Sequence, residues 1–246
     1  MIPTTTTVTS TNINQPWQSA YAQAGIVPDL PPLAYQSLGQ LAHESCQRYA
    51  SQKAFTCVVP NGMNGSLTFK QVDERSDAFA AYLRESLSLP AGSRVAVQMP
   101  NSLGYPVVAL GVLKAGCVLV NVNPLYTVSE LVHQLNDSEA TALVIVDMFA
   151  GKLPEVMRQT GIKHVVVAAV TEFFPVIPNV IVRCVQKVWA RVLPPIDAPH
   201  TRLAKALQLG RTGLVAGTVK AYRQAIGPGD TAALQYTGGT TGVSKG

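Results

Sequence analysis

The last eleven residues of the chain, 236–246, have a composition suited to holding phosphate oxygens. They read YTGGTTGVSKG. The glycines let the backbone turn its N–H groups toward an anion without steric cost. The threonine hydroxyls add hydrogen-bond donors, and the lysine adds a positive charge. The candidate phosphate-binding residues are therefore Tyr236, Thr237, Gly238, Gly239, Thr240, Thr241, Gly242, Val243, Ser244, Lys245 and Gly246.

Three other interpretations of this segment are weaker. The Walker A pattern is not met, because valine follows Gly242 and glycine follows Lys245. Residues 242–246 match the G-x-S-x-G elbow of α/β-hydrolases, with Ser244 as nucleophile, but residues 237–241 separate that pattern from the preceding strand-like segment. No acid or histidine follows the serine, as an elbow would require. A plain surface turn rarely needs this combination of glycine, threonine and lysine.

The segments ahead of the loop alternate between strand and helix patterns. Two capping boxes, Thr68 with Gln71 and Thr127 with Glu130, mark helix starts. This alternation predicts an α/β fold in which right-handed crossovers build a parallel sheet, with ligands at the carboxyl ends of the strands. The predicted strands are 54–59, 94–98, 118–122, 142–146, 164–170 and 232–236, and the predicted helices include 38–49, 103–115, 128–136 and 153–160.

Two stretches resemble the adenylate-forming ligases, the acyl-CoA synthetase family. One is the terminal YTGGTTGVSKG, and the other runs from Val95 to Ile145. Within the second, NVNPLYT and HQLNDS resemble the bacterial long-chain fatty acid–CoA ligases in particular. The resemblance extends over nearly the whole chain from Trp17 and is weakest across residues 173–223. Many members have proline where Ser244 stands and serine where Gly238 stands, and small residues at both places are compatible with phosphate binding.

The resemblance implies a two-step reaction. A fatty acid carboxylate attacks the α-phosphate of Mg²⁺-bound ATP, giving acyl-adenylate and pyrophosphate, and the thiol of coenzyme A then displaces AMP. The loop N–H groups, the threonine hydroxyls and Lys245 would hold the β- and γ-phosphates and disperse their charge. The alternatives are a ligase for another carboxylic acid, or a non-catalytic remnant that binds phosphate or a membrane.

The resemblance also implies a domain organisation. Residues 1–16 are expected to be a disordered N-terminus, and residues 17–246 an incomplete N-terminal AMP-binding domain. The hinge and the C-terminal domain with its catalytic lysine would lie beyond residue 246, so that no catalytic residue other than Lys245 is expected in this chain. On this interpretation the chain alone would not complete a catalytic cycle.

Composition excludes several other classes of protein. A hydrophobic content of 47% with 13% charged residues describes a soluble chain with a large core, not a disordered one. The cysteines are far apart and form no C-x-x-C, and the histidines have no ligand spacing. Neither a disulfide framework nor a protein-held metal is supported, and buried thiols in a reducing compartment favour a cytoplasmic location.

The positive charge of the chain is concentrated in one segment. Residues 173–223 contain eight basic residues and a single acid, Asp197, whereas the whole chain has a net charge of +5. Arg183, Lys187 and Arg191 form a basic stripe at helical spacing, opposite apolar residues at 181, 184, 185, 188, 189 and 192. This pattern indicates a helix on an anionic membrane surface, at the inner face of the cell membrane, or else a helix with its apolar face against the core. Nucleic acid is not favoured, because no aromatic residues are interleaved with the basic ones.

Residues 103–123 carry only one charge, Lys114, and could be mistaken for a membrane span. Pro106, Gly116 and the strand-like sequence at residues 118–122 argue against a single spanning helix. We therefore expect a buried helix followed by a strand.

Overall fold

The computed structural model describes residues 16–26, 33–60, 62–189, 192–213 and 218–237, except for the side chain of Trp189. The chain falls into two compact units that divide between Ala34 and Tyr35. Among the described residues of the first unit there is one short helix, α1 (Gln18–Gln23), which has no buried residue. Of the predicted disordered residues 1–16, residues 1–15 lie outside the described part, and Pro16 lies in a turn. All other elements belong to the second unit.

The second unit contains the predicted alternation of strands and helices. Its helices are α2 (Leu38–Arg48), α3 (Phe69–Ala81), α4 (Gly104–Lys114), α5 (Val128–Asp137), α6 (Leu153–Gln159), α7 (Val176–Cys184), α8 (Leu203–Gly213) and α9 (Thr218–Gln224). Its strands are β1 (Lys53–Val58), β2 (Asn64–Thr68), β3 (Arg94–Gln98), β4 (Val118–Asn121), β5 (Ala142–Val146), β6 (His164–Ala168), β7 (Thr201–Arg202) and β8 (Ala233–Gln235). Tyr82–Ser86 and Val185–Trp189 are π-helical turns, and Asp147–Lys152 is a 3₁₀ helix.

Six of the strands form one parallel sheet in the order β7-β6-β5-β3-β4-β8, which confirms the α/β prediction. The chain begins this sheet at β3, adds β4 on one side, and then crosses to β5 on the other. It returns at β8, which pairs with β4 in register Asn121↔Gln235. Strands β1 and β2 form a separate antiparallel hairpin.

Both predicted capping boxes are present. The Thr68 hydroxyl accepts the backbone N–H of Gln71, whose side chain accepts the backbone N–H of Thr68 in return. Thr127 and Glu130 make the same reciprocal pair at the start of α5. Each box satisfies N–H groups that a helix end otherwise leaves unpaired, which fixes where α3 and α5 begin.

Apolar side chains fill both faces of the sheet. One face packs against α3, α4 and α8, and the other packs against α5 and α6. Helices α3 and α8 approach so closely that a Cβ at Gly210 would meet the carbonyl oxygen of Ala78 at 1.8 Å. Only glycine fits at that crossing.

The apolar segment 103–123 divides into helix α4 and strand β4, as expected. Within the described part of the chain, no helix combines the length and the apolar character needed to cross a membrane. The buried position of α4 explains its hydrophobicity, because nearly all of its residues are enclosed by neighbouring elements.

The one charged residue of α4, Lys114, is fully buried. Its Nζ donates hydrogen bonds to Asp73 Oδ1 at 2.5 Å, Asp77 Oδ1 at 2.7 Å and Ser76 Oγ at 2.8 Å, all on α3. The same carboxylates reach two further helices, since His43 of α2 contacts Asp73 and Arg223 of α9 contacts Asp77. We call these five residues with Ser76 the Lys114 cluster.

The helix at the start of residues 173–223 does not pack its apolar face on the core, so that of the two sequence interpretations the core-facing one is wrong. Helix α7 gives way to a π-helical turn at Val185, so the basic stripe does not lie on one regular helix. Val182 of α7 is buried, but the described side chains of the predicted apolar face are exposed, with Val188 at 73% and Ile181 at 45% exposure. Arg183 turns inward to Asp147, at 3.3 Å. Lys187 is exposed, and Arg191 lies outside the described residues.

Candidate functional site

The carboxyl ends of β3, β4, β5 and β8 lie side by side at one edge of the sheet, where ligands of such sheets bind. Strand β8 ends at Gln235, and Tyr236 and Thr237 follow it directly. These two are the described members of the predicted phosphate site. Residues 238–246, including Gly242 and Lys245, lie outside the described part of the chain, so their placement stays a prediction.

Tyr236 is buried at 9% exposure in the apolar layer beside α5. Its hydroxyl donates a hydrogen bond to Asp137 Oδ2, at 2.5 Å, across 99 positions of sequence. Burial, together with the hydrogen bond and the negative charge of Asp137, raises the pKa of the Tyr236 phenol to about 12. Tyr236 is therefore neutral at physiological pH and acts as a hydrogen-bond donor.

Asn121, at the end of β4, connects several elements to β8. Its Nδ2 donates to Gln235 Oε1 at 2.9 Å, and its Oδ1 accepts the Tyr105 hydroxyl at 2.8 Å. Its backbone carbonyl accepts Gln134 Nε2 at 2.7 Å. Asn121 therefore ties the last residue of β8 to α4 and α5, and this network was not foreseen in the sequence.

The NVNPLYT stretch, residues 121–127, forms the loop beside this network. Gln98, fully buried at the end of β3, donates from Nε2 to the carbonyl of Asn123 at 3.1 Å. Asn123 Oδ1 accepts the backbone N–H of Leu125 at 3.0 Å, and Lys152 donates to the carbonyl of Tyr126 at 2.7 Å. The motif therefore shapes the turn from β4 into α5 at the same edge as β8.

Two acids follow the neighbouring strands. Asp147 comes directly after β5, is nearly fully buried, and faces Arg183 at 3.3 Å and Arg202 at 3.9 Å. Burial outweighs both arginines and raises the pKa of Asp147. Glu172, after β6, accepts the backbone N–H of Ala169 at 2.9 Å, and burial raises its pKa as well. Sequence reasoning missed both acids, because neither lies in a recognisable motif.

The described residues contain one cluster of three close metal-ligating groups, His43, Asp73 and Asp77, with ligand atoms within 4.8 Å of one another. The ammonium group of Lys114 occupies the position between the two carboxylates. Burial favours the neutral form of Asp73, but the charge and hydrogen bond of Lys114, with those of His43, hold its pKa below the usual value. These residues therefore form an internal ion pair and do not fit a magnesium ion.

The cysteines are free thiols, but they are not uniformly buried as expected. Cys46 and Cys117 are buried, Cys57 is half-buried and Cys184 is exposed on the outer side of α7.

A model of the family described as AMP-binding enzyme matches residues 42–246, and the chain therefore belongs to that family. Among its relatives, the chain is 42% identical over 231 residues to a long-chain-fatty-acid–CoA ligase of Escherichia coli O6:H1, covering 94% of this chain and 39% of that protein. It is 43% identical over 232 residues to the ligase of the same name from Salmonella typhimurium, with the same coverage of 94% and 39%.

The fold also matches a solved structure, a long-chain-fatty-acid-CoA ligase from Archaeoglobus fulgidus. The TM-score is 0.60 at 22% identity, covering 86% of this chain and 37% of that one. This likeness confirms the fold. The chain spans about 39% of the length of the bacterial relatives named above.

Proposed function

We propose that this chain is the ATP-binding part of an enzyme that converts a long-chain fatty acid to acyl-adenylate and then to acyl-CoA. The observation that carries the proposal is the course of β8, which ends with Tyr236 and Thr237 at the carboxyl edge of a parallel sheet, directly before the glycine-rich sequence 238–246. Family membership and the names of the bacterial relatives support the same activity.

The chemical difficulty of the first step is charge. An anionic carboxylate must approach the phosphates of ATP, and negative charge grows on the departing pyrophosphate. Backbone N–H groups at Gly238, Gly239 and Gly242 would hold those oxygens, together with nearby threonine hydroxyls and the ammonium of Lys245. Mg²⁺ would neutralise part of the phosphate charge, and coenzyme A would accept the acyl group. The loop residues bind and orient the phosphates, and none of them acts as a nucleophile.

The test is ATP–pyrophosphate exchange, measured on the protein at its natural full length with a panel of acids. We expect exchange with long-chain fatty acids and much weaker exchange with short-chain or aromatic acids. Exchange that is fastest with an aromatic acid would instead support a ligase for another acid. A protein that binds ATP but exchanges with none of the acids would support the non-catalytic alternative.

We expect Lys245→Ala to lower the exchange rate by about a hundredfold or more, because one preorganised donor to developing charge is worth that much in comparable sites. The matched control is Lys205→Ala, which removes an exposed lysine of α8 and should leave exchange unchanged. Equal rates in wild type and Lys245→Ala would contradict the function assigned to Lys245.

We also propose that α7 and the turn after it attach the protein to an anionic membrane surface, at the inner face of the cell membrane. The supporting observation is the exposed apolar side chains of Val176, Ile177, Val180 and Val188, next to the exposed Lys187. A surface helix of this kind binds lipid through apolar insertion and electrostatic attraction. Arg183 is bonded to Asp147, so in this proposal it orients α7 and does not itself contact lipid.

A further inference from the structure

Strand β8 is a short element that directly precedes the proposed phosphate-binding residues. It has three residues and, among the described strands, pairs with β4 alone, through three register positions. So short a strand has little backbone pairing to fix the position of the residues after it. Side-chain contacts must therefore supply much of the precision at Tyr236.

Asp137 supplies one such side-chain contact, with Tyr236, from the C-terminal end of α5, where a negative charge is unfavourable. It is the last residue of α5, and the last turn of α5 has no basic residue. A carboxylate at a helix C-terminus faces the negative end of the helix dipole, which is unfavourable. The Tyr236 hydroxyl compensates by donating a hydrogen bond to Oδ2 of this carboxylate, and a bond to a charged acceptor is stronger than a neutral one.

The effect of this hydrogen bond is to join α5 to the strand–loop junction. Helix α5 is itself fixed at both ends: Thr127 and Glu130 cap its start, and Gln134 bonds to the carbonyl of Asn121. Tyr236 packs against the same apolar layer as α5. The phenol therefore connects the point where the chain leaves the sheet to a rigid element.

We propose that Asp137 is a positioning residue for the phosphate loop, and that it acts by holding Tyr236. The proposal rests on the proposed function, because it assigns the loop after Tyr236 to ATP phosphates. Loss of the hydrogen bond would leave β8 paired but allow Tyr236, from which the loop sequence starts, to shift, and shifts of about an ångström are costly in catalysis. The effect should concern ATP and not the fatty acid.

The kinetic test compares Tyr236→Phe and Asp137→Ala, which remove the donor and the acceptor, with Asp137→Asn, which keeps an acceptor oxygen. Glu139→Gln is the matched control, because Glu139 is an exposed acid two positions away that pairs with Arg94. In ATP–pyrophosphate exchange we expect KM for ATP to rise roughly tenfold in Tyr236→Phe and Asp137→Ala, with KM for the fatty acid unchanged. Asp137→Asn should stay closer to wild type, and the double variant should be no worse than either single variant.

Hydrogen–deuterium exchange of residues 236–246 gives a readout that does not need activity. Exchange in this segment should be faster in Tyr236→Phe and Asp137→Ala than in wild type and in Glu139→Gln. Unchanged segment exchange, or equal rises in both KM values, would overturn the proposal. If wild type exchanges pyrophosphate with no acid, the proposed function fails, while the deuterium result still decides whether Asp137 holds the segment.

Discussion

At the scale of single residues, the clearest feature is a tyrosine kept neutral by its surroundings. The Tyr236 phenol lies in an apolar layer, with a carboxylate as its hydrogen-bond partner. Ionisation would place two negative charges side by side in a poorly solvated position, so the folded state opposes it. The phenol therefore remains a hydrogen-bond donor to Asp137 in neutral solution.

This environment should lower the free energy of unfolding of the protein at alkaline pH. The phenol pKa is about 12 in the folded state and 10.0 for an unperturbed tyrosine, so between these values the unfolded chain loses a proton that the folded chain keeps. The advantage of wild type over Tyr236→Phe in free energy of unfolding should be complete below about pH 10 and shrink as the pH rises, by up to about 1.4 kcal/mol per unit. Urea unfolding at pH 8, 10 and 11 measures this difference, and a constant difference would contradict it.

At the scale of elements, α7 is attached to the protein on one side and exposed on the other. Arg183 forms an ion pair with Asp147, the residue that follows β5, and the side of α7 that carries Arg183 therefore faces the sheet. The apolar residues on the other side face outward as a result. Arg183 belongs to the basic stripe by its spacing in the sequence, but in the structure its side chain points to Asp147 and is not part of the exposed surface that carries Lys187.

We expect wild type to co-sediment with phosphatidylcholine vesicles that contain phosphatidylglycerol. Replacing Ile177 and Val180 with serine should weaken binding at every salt concentration. Lys187→Glu should weaken it about fivefold or more at low salt only, since one basic residue near such a surface contributes about 1 kcal/mol.

The control for the apolar change is Leu125→Ser, which alters an exposed leucine in the loop before α5. Arg183→Glu should have a larger effect on the free energy of unfolding than on vesicle co-sedimentation, because it places a second acid beside Asp147. Wild-type protein that stays in the supernatant with these vesicles would refute membrane attachment.

At the scale of the whole molecule, the Lys114 cluster connects four helices on one face of the sheet. Lys114 of α4 bonds to two acids of α3, and those acids contact α2 and α9. Helix α9 is the last helix before β8, so the cluster also fixes the approach of the chain to the candidate site.

Lys114→Met should destabilise the protein by about 3–5 kcal/mol, because it leaves two acids facing each other without their shared cation. Lys70→Met is the control, since Lys70 is an exposed lysine with only a long contact to Glu74, at 3.9 Å. That change should cost about half a kcal/mol or less. Denaturant unfolding compares the two, and equal losses would show that burial of Lys114 has no special energetic importance.

The parts of the fold that could be predicted depend on local signals. The capping boxes at Thr68 and Thr127 were predicted from residues three positions apart, and both are present. The buried strands β3 and β5 have the predicted bounds. The missed features depend on partners far away in sequence. Tyr236 meets Asp137 across 99 positions, and Lys114 meets Asp73 across 41, which no local pattern encodes.

The sequence left the orientation of α7 open for a related reason. Helical spacing of Arg183 and Lys187 predicts two faces but does not say which face meets the protein. The inward side of α7 includes the contact of Arg183 with Asp147, a buried acid 36 positions earlier. The hairpin strand β2 and the short strand β7 were also missed, because polar residues and few positions give them little apolar periodicity.

The position of β8 in the sheet has a consequence for the order in which the molecule is assembled. Its partner β4 precedes it by more than a hundred residues, as the 114-residue separation of Asn121 and Gln235 indicates. Strands β3 to β6 can pair over much shorter loops, and short loops close at lower entropic cost. We therefore expect β8 to dock after a preformed sheet, and pulsed deuterium labelling during refolding should protect β5 before β8. The proposed phosphate-binding site would then form only at the last stage of folding.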